Sequence, residues 1–150
     1  MCLRVDHIGS TSVPGLAAKP VIDIQVSVAD VEALDSYRPG LEGIGLLHRP
    51  HPEEPDRREF FRPPGPRVVH VHVVAAGSAE ERRHLLHRDY LRAHPEVAAD
   101  YGALKRELAG TFREARQDYQ EAKHPFLESM AADAERWAAA TERGYLPPPG

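Results

Sequence analysis

The sequence predicts an α+β fold: a small mixed sheet flanked by helices, with a C-terminal helical half. Three observations carry this. The runs VIDIQVSV at 21–28 and RVVHVHVV at 67–74 are rich in β-branched residues, and the second alternates strongly. From Ser78 onward, apolar residues recur three and four apart, the spacing of helix faces. A strand-rich half at 1–77 therefore precedes a helical half at 78–144, with helices gathered on one side of the sheet. The 150 residues suit a single domain with its own hydrophobic core, and 145–150 read as a disordered tail.

In chain order, Leu3, Val5 and Ile8 support only a short strand or helix end. Val13-Pro14-Gly15 is a turn, because Pro presets one backbone angle and Gly accepts positive φ; 16–18 should add one helical turn. Pro20 holds Lys19 extended, and the strand over 21–28 follows, with Val21, Asp23 and Gln25 on one face. Asp30 is placed to cap a helix from 31 to about 41, ended early by Pro39-Gly40. A short strand is expected at 46–49, then a surface loop through Pro50, Pro52 and Pro55 with Glu53 and Glu54. Stretches 57–62 and 67–74 flank Pro63-Pro64-Gly65-Pro66 as an antiparallel pair, with His70 and His72 on one face.

Ser78 to Glu81 is a capping box, opening a helix whose stripe holds Leu85, Leu86, Tyr90 and Leu91. His94-Pro95 starts the next helix, lined by Val97, Tyr101, Leu104 and Leu108 and ending near Gly110. Thr111 to Glu114 reads as a second capping box. The helix behind it should run toward Arg143, with Gly144 as its stop and a kink or split at Pro125.

Composition narrows the function classes. The formal net charge is -4 with 9 histidines neutral, so there is no bulk attraction to nucleic acid or anionic membrane. One cysteine excludes an internal disulfide, and no apolar run reaches the roughly 20 residues of a membrane helix. With nothing resembling a signal peptide, a soluble cytoplasmic protein is expected. No G-x-S-x-G elbow is present, and Lys19 is followed by Pro rather than the Ser/Thr of a Walker loop.

The chemistry concentrates in VDHIGSTSVPGLAAKPVIDIQVSV at 5–28. Ser10, Thr11 and Ser12 offer hydroxyls beside backbone N–H groups, Gly9 and Gly15 permit close backbone approach, and Lys19 adds charge. After twelve residues beyond Ser10 comes Asp23 on an apolar strand. Phosphate donors followed by a carboxylate suit metal-nucleotide chemistry, because Mg2+ or Mn2+ must bridge protein and phosphate oxygens. His70 and His72 could join Asp23 on a divalent metal, His72 being preferred as nearer the strand end. Tyr101 with Lys105, and Tyr119 with Lys123, sit four apart on helix faces, where a ring can stack on a base while the amine reaches phosphate. Arg88, Asp89, Arg92 and His94 could line the same cleft.

HIGSTSVPGLAAKPVIDI at 7–24, HVHVV at 70–74, LLHRDYLRAHP at 85–95, YGALKREL at 101–108, and Tyr119 with Lys123 together resemble the GrpB family of the nucleotidyltransferase superfamily. The resemblance covers nearly the whole chain. It implies a nucleotidyltransferase-like fold binding a nucleotide or other phosphorylated small molecule, with metal-dependent nucleotidyl transfer as the attached reaction. Family members occur beside or fused to dephospho-coenzyme A kinase, so the resemblance also implies an accessory module partnering a coenzyme A enzyme. Two departures stand out. Superfamily enzymes carry a second carboxylate where this chain has Gln25, and family members carry a helical segment before the HIGSTS block, where this chain begins almost at once. A shortened or atypical start would leave part of the sheet uncovered.

Each feature has a plainer reading. The Gly9–Ser12 hydroxyls can cap their own turn, and Asp23 can pair with Lys19 or an arginine. His70 and His72 can sit on a half-exposed strand, and each tyrosine can be a core residue beside a snorkelling lysine. Asp89 and Arg92 make an ordinary i, i+3 pair. His48, His51, His84 and His87 have no spacing that defines a site.

Overall fold

The computed structural model describes residues 1–49, 59–66, 68–112 and 116–140. Strands β1 (Cys2–Ile8), β2 (Ile22–Val28), β3 (Leu47–His48), β4 (Glu59–Arg62) and β5 (Val69–Ala75) form one mixed sheet in the order β1-β2-β5-β4-β3. Only β2 and β5 run parallel; the other neighbours are antiparallel. Helix α1 (Leu34–Gly43) follows β2, and α2 (Ala79–Ala93), α3 (Pro95–Thr111) and α4 (Arg116–Ala140) complete the described chain. The expected surface loop at Pro50, Pro52 and Pro55, and the tail, lie outside the described residues.

Register divides the sheet into two unlike faces. Val26, Val28, Val71, Val73 and Phe61 point one way and bury against Val31, Leu34, Tyr37 and Leu41. On the other face Asp6 aligns with Gln25 and His72, and Ile8 with Asp23 and His70. Helix α2 lies over this second face. The helices are therefore not gathered on one side: α1 covers the apolar face and the later helices meet the polar one. An apolar strand face must be covered, and the β-branched residues of β2 and β5 left one bare until α1 docked.

Several boundaries differ from expectation for identifiable reasons. Leu3, Val5 and Ile8 belong to a full seven-residue strand, since pairing with β2 supplies the hydrogen bonds. Residues 16–18 make no helical turn; Leu16 is buried and its side chain lies over Gly102 of α3. Asp30 caps a local turn, accepting from the Glu32 backbone N–H at 2.9 Å, and α1 begins only at Leu34. Pro39 does not end α1, which buried Tyr37 anchors through its hydroxyl on the Val31 carbonyl at 2.6 Å. Thr111 is the last residue of α3 rather than a cap, its hydroxyl turned back onto the Glu107 carbonyl at 3.1 Å. Helix α4 runs through Pro125 unsplit because Met130, Ala134 and Ala138 bury one continuous stripe beside Leu86, Tyr90 and Tyr101. Ser78 caps α2 as read, its Oγ accepting from Glu81 N at 3.1 Å, but the reciprocal arm is shifted: Glu81 accepts from Gly77 N, while Ser78 N bonds the Ala75 carbonyl.

Exposed Leu3 and Val5 leave apolar surface on edge strand β1, and Ile22 and Val68 are exposed where β2 and β5 begin. No helix among the described residues is long and apolar enough to cross a membrane.

Candidate functional site

Asp23 sits on a rigid central strand with the two histidines that β5 brings beside it. Its Oδ1 lies 3.3 Å from His72 Nε2 and 3.4 Å from His70 Nδ1. The direct register partner is His70; His72 reaches Asp23 diagonally from the Gln25 row. Gly9 closes against the same carboxylate. Its φ is +71, and a Cβ there would stand 2.7 Å from Asp23 Oδ2. Only glycine lets the turn approach this closely.

The three hydroxyls of the turn divide their work. Ser12 is buried and donates to the Gly9 carbonyl at 2.5 Å, and Thr11 pairs with His7 at 2.8 Å, so these two hold the turn together. Ser10 faces outward from it and accepts from Lys105 Nζ at 2.8 Å. Arg92 adds a brace by donating to the Ser12 carbonyl at 2.8 Å.

The three lysines of the chain converge. Lys19 and Lys123 lie 5.8 and 5.3 Å from the centre of the Tyr119 ring, and Lys105 lies 4.7 Å from that of Tyr101. Burial and the Lys123 charge push Lys105 down to about 8, while burial and Lys19 lower Lys123. No carboxylate among the described residues forms an ion pair with any of the three. Tyr101 is core rather than a free platform: its ring stacks on Phe126 at 5.4 Å, and burial raises its hydroxyl to about 12.

This cluster has a measurable consequence. Folded Lys105 releases its proton near pH 8, whereas the unfolded side chain holds it to 10.5, so the unfolded chain binds more protons between those values. Stability should therefore rise from pH 8 to 10, and Lys105→Met should flatten that rise. Urea midpoints at four pH values test it; identical slopes in both proteins would refute the assignment.

Arg88 goes elsewhere. Its guanidinium donates to Asp6 at 3.1 Å, to Asp89 at 2.7 and 3.2 Å, and to the His7 carbonyl at 3.3 Å, tying α2 to β1. It positions the site wall and has few donors left for a ligand.

Between the polar sheet face and α2, α3 and α4 lies a cavity of about 200 Å³. Gly9, Ser10, Asp23 and His72 line one side, with Arg88, His84, His87 and Tyr101 around it. Ile8, Val13, Leu91, Leu127 and Met130 complete the walls. Sequence reasoning missed His84 and His87. Their signal was present: with Arg88 and Leu91 they fall three and four apart on one face of α2. His84 holds Gln25 Oε1 at 2.7 Å and Glu80 at 3.0 Å. Where superfamily members carry a second carboxylate, Gln25 is fully buried, and its Nε2 has no hydrogen-bond partner among the described residues.

A mixed five-stranded sheet that feeds a Gly-Ser turn into a carboxylate strand is nucleotidyltransferase-like. The chain belongs to the GrpB family, whose model, described as GrpB protein, matches residues 1–133. It is 45% identical over 130 residues to the UPF0157 protein SCO7215 of Streptomyces coelicolor, covering 87% of this chain and 68% of that one. It is 36% identical over 135 residues to the UPF0157 protein YqkA of Bacillus subtilis, covering 90% of this chain but 39% of that protein. The crystal structure of the conserved protein GrpB from Enterococcus faecalis superposes with a TM-score of 0.79 at 37% identity, covering 91% of this chain and 83% of the other. A protein named dephospho-CoA kinase from Mycobacterium leprae is 32% identical over 93% of this chain, which spans 41% of its length.

Proposed function

We propose that this protein binds a nucleoside triphosphate, or another phosphorylated ligand, between the Gly9–Ser12 turn and the helical half, and that with a triphosphate an acceptor hydroxyl attacks the α-phosphorus, taking the nucleotidyl group and releasing pyrophosphate. One observation carries the reading: Lys105 donates to Ser10, Lys123 repels Lys105 and Lys19 repels Lys123, and no carboxylate among the described residues pairs with any of the three. Like charges on half-buried Lys105 and Lys123 are costly until an anion joins them, so the cluster, with exposed Lys19 at its rim, suits phosphate oxygens. Lys105, Lys123 and Lys19 hold the phosphates, and Ser10 orients them.

A divalent metal fits the Asp23 side of this site as a shared ligand. The Asp23 carboxylate and His72 Nε2 hydrogen-bond at 3.3 Å, close enough that both would serve as ligands if an ion replaced the shared proton. No group of three or more His, Cys, Asp or Glu among the described residues forms a complete metal site. The remaining positions therefore fall to phosphate oxygens and water, as is usual for Mg2+ or Mn2+, and imidazole favours Mn2+. Such an ion would neutralise phosphate charge.

Calorimetric titration of ATP with and without Mn2+, on wild type and Asp23→Ala, tests this. Metal-dependent binding that falls by about tenfold or more in the variant is expected. A well-folded wild type that binds no ATP overturns the reading. The second reading, a non-catalytic module serving a coenzyme A enzyme, is favoured by the relatives named dephospho-CoA kinase, in which a GrpB-like region occupies part of a longer chain.

A further inference from the structure

The lysine cluster and the cavity share the Gly9–Ser10 turn but differ in chemistry. One part of the cavity wall is apolar, made by Val13, Leu91, Leu127 and Met130, of which Val13, Leu91 and Met130 are almost fully buried. These residues have nothing to offer a phosphate. An apolar cavity of about 150 Å³ suffices to hold benzene, so about 200 Å³ admits a six-membered ring with one short substituent.

His87 is the other unabsorbed group. It lines the cavity and makes no side-chain hydrogen bond among the described residues. Burial lowers its imidazole below 6.5, so it stands neutral at pH 7 with one ring nitrogen free to accept. The cavity thus has an apolar end and a polar end, where His87 and Asp23 converge, and a pocket with an apolar wall and a few convergent polar groups is the usual form of a small-molecule site.

We propose that this cavity is the second-substrate pocket, and that it takes a small apolar alcohol or amine whose polar end lies between His87 and Asp23. The proposal rests on the phosphate reading for the word substrate, but the binding itself does not. An apolar group fills the chamber between α2 and α4, and its hydroxyl or amine points toward the turn where the phosphates sit. Polar acceptors such as sugars would leave hydroxyls unpaired against Leu91 and Met130.

Benzyl alcohol and benzylamine are suitable probes, titrated into wild type by protein-observed NMR alongside glucose. Saturable binding of either aromatic probe, with glucose inert, is expected. Leu127→Phe narrows the chamber and should weaken benzyl alcohol at least ~10-fold, while Leu127→Ala enlarges it and should favour 4-methylbenzyl alcohol over benzyl alcohol. The paired variants keep the test decisive if one of them folds poorly. Lys123→Met should leave probe binding intact while weakening inorganic triphosphate, which separates failure of the pocket from failure of the phosphate site. Absence of saturable binding by folded wild type, or binding unchanged in both Leu127 variants, overturns the proposal.

Discussion

Gly9→Ala is expected to weaken ATP binding by about tenfold or more while the protein remains folded. The new Cβ would meet Asp23 Oδ2 at 2.7 Å and Asp23 Cβ at 3.0 Å. Such contacts force the carboxylate out of its place beside His70 and His72. The positive φ, with ψ near 180°, is a region glycine alone adopts easily and adds a conformational cost of about 1–3 kcal/mol. Gly15 supplies the control, because its φ is +75 and a Cβ there meets nothing within 4 Å. Gly15→Ala should thus show a similar loss of urea stability with ATP affinity unchanged. Equal loss of affinity in the two variants would mean that strain, not Asp23 displacement, governs the site.

Arg88→Ala should be the most destabilising single change in the site wall, by about 3 kcal/mol, or a Tm lower by roughly 6–12 °C. Arg88 and Asp6 are 6% and 5% exposed, so truncating the guanidinium leaves buried charge behind. Burial alone would raise the Asp6 carboxyl; Arg4 and Arg88 outweigh it and hold it below its ordinary value. The loss stays near the lower end of what a broken buried pair costs because Arg4 remains on Asp6. Arg88→Met combined with Asp6→Leu should recover part of it, since the Asp6–Arg88 pair then needs no counter-charge, while Arg4 and Asp89 each lose a partner. Thermal melts of the single and double variants decide the matter. A double variant no more stable than Arg88→Ala would show that shape, not charge pairing, holds α2 on β1.

The site was unevenly legible. Asp23 and His72 could be placed together because period-two alternation assigns strand faces and both strands were clear in the sequence. Which of His70 and His72 lies directly opposite Asp23 needed the register, and register is set by pairing between segments more than forty residues apart. Tyr101 and Lys105 were rightly put on one helix face, yet the ring turned inward onto Phe126 because α4 packs there. Thr11 and Ser12 were indistinguishable from Ser10 in sequence. Only their three different partners, His7, the Gly9 carbonyl and Lys105, separated them.

By itself the sequence determined the order of strands and helices, the turn that leads into Asp23, the Ser78 cap, and membership of a family. These follow from local signals: side-chain periodicity, turn chemistry and a contiguous motif. Tertiary structure alone decided that α1 covers the face opposite the site, that Lys105 reaches Ser10 while Lys19 and Lys123 meet at the Tyr119 ring, and that His84 and His87 border a cavity. Those outcomes depend on which apolar faces bury against which. Burial energy is summed over contacts distant in sequence, and no local pattern records the partner.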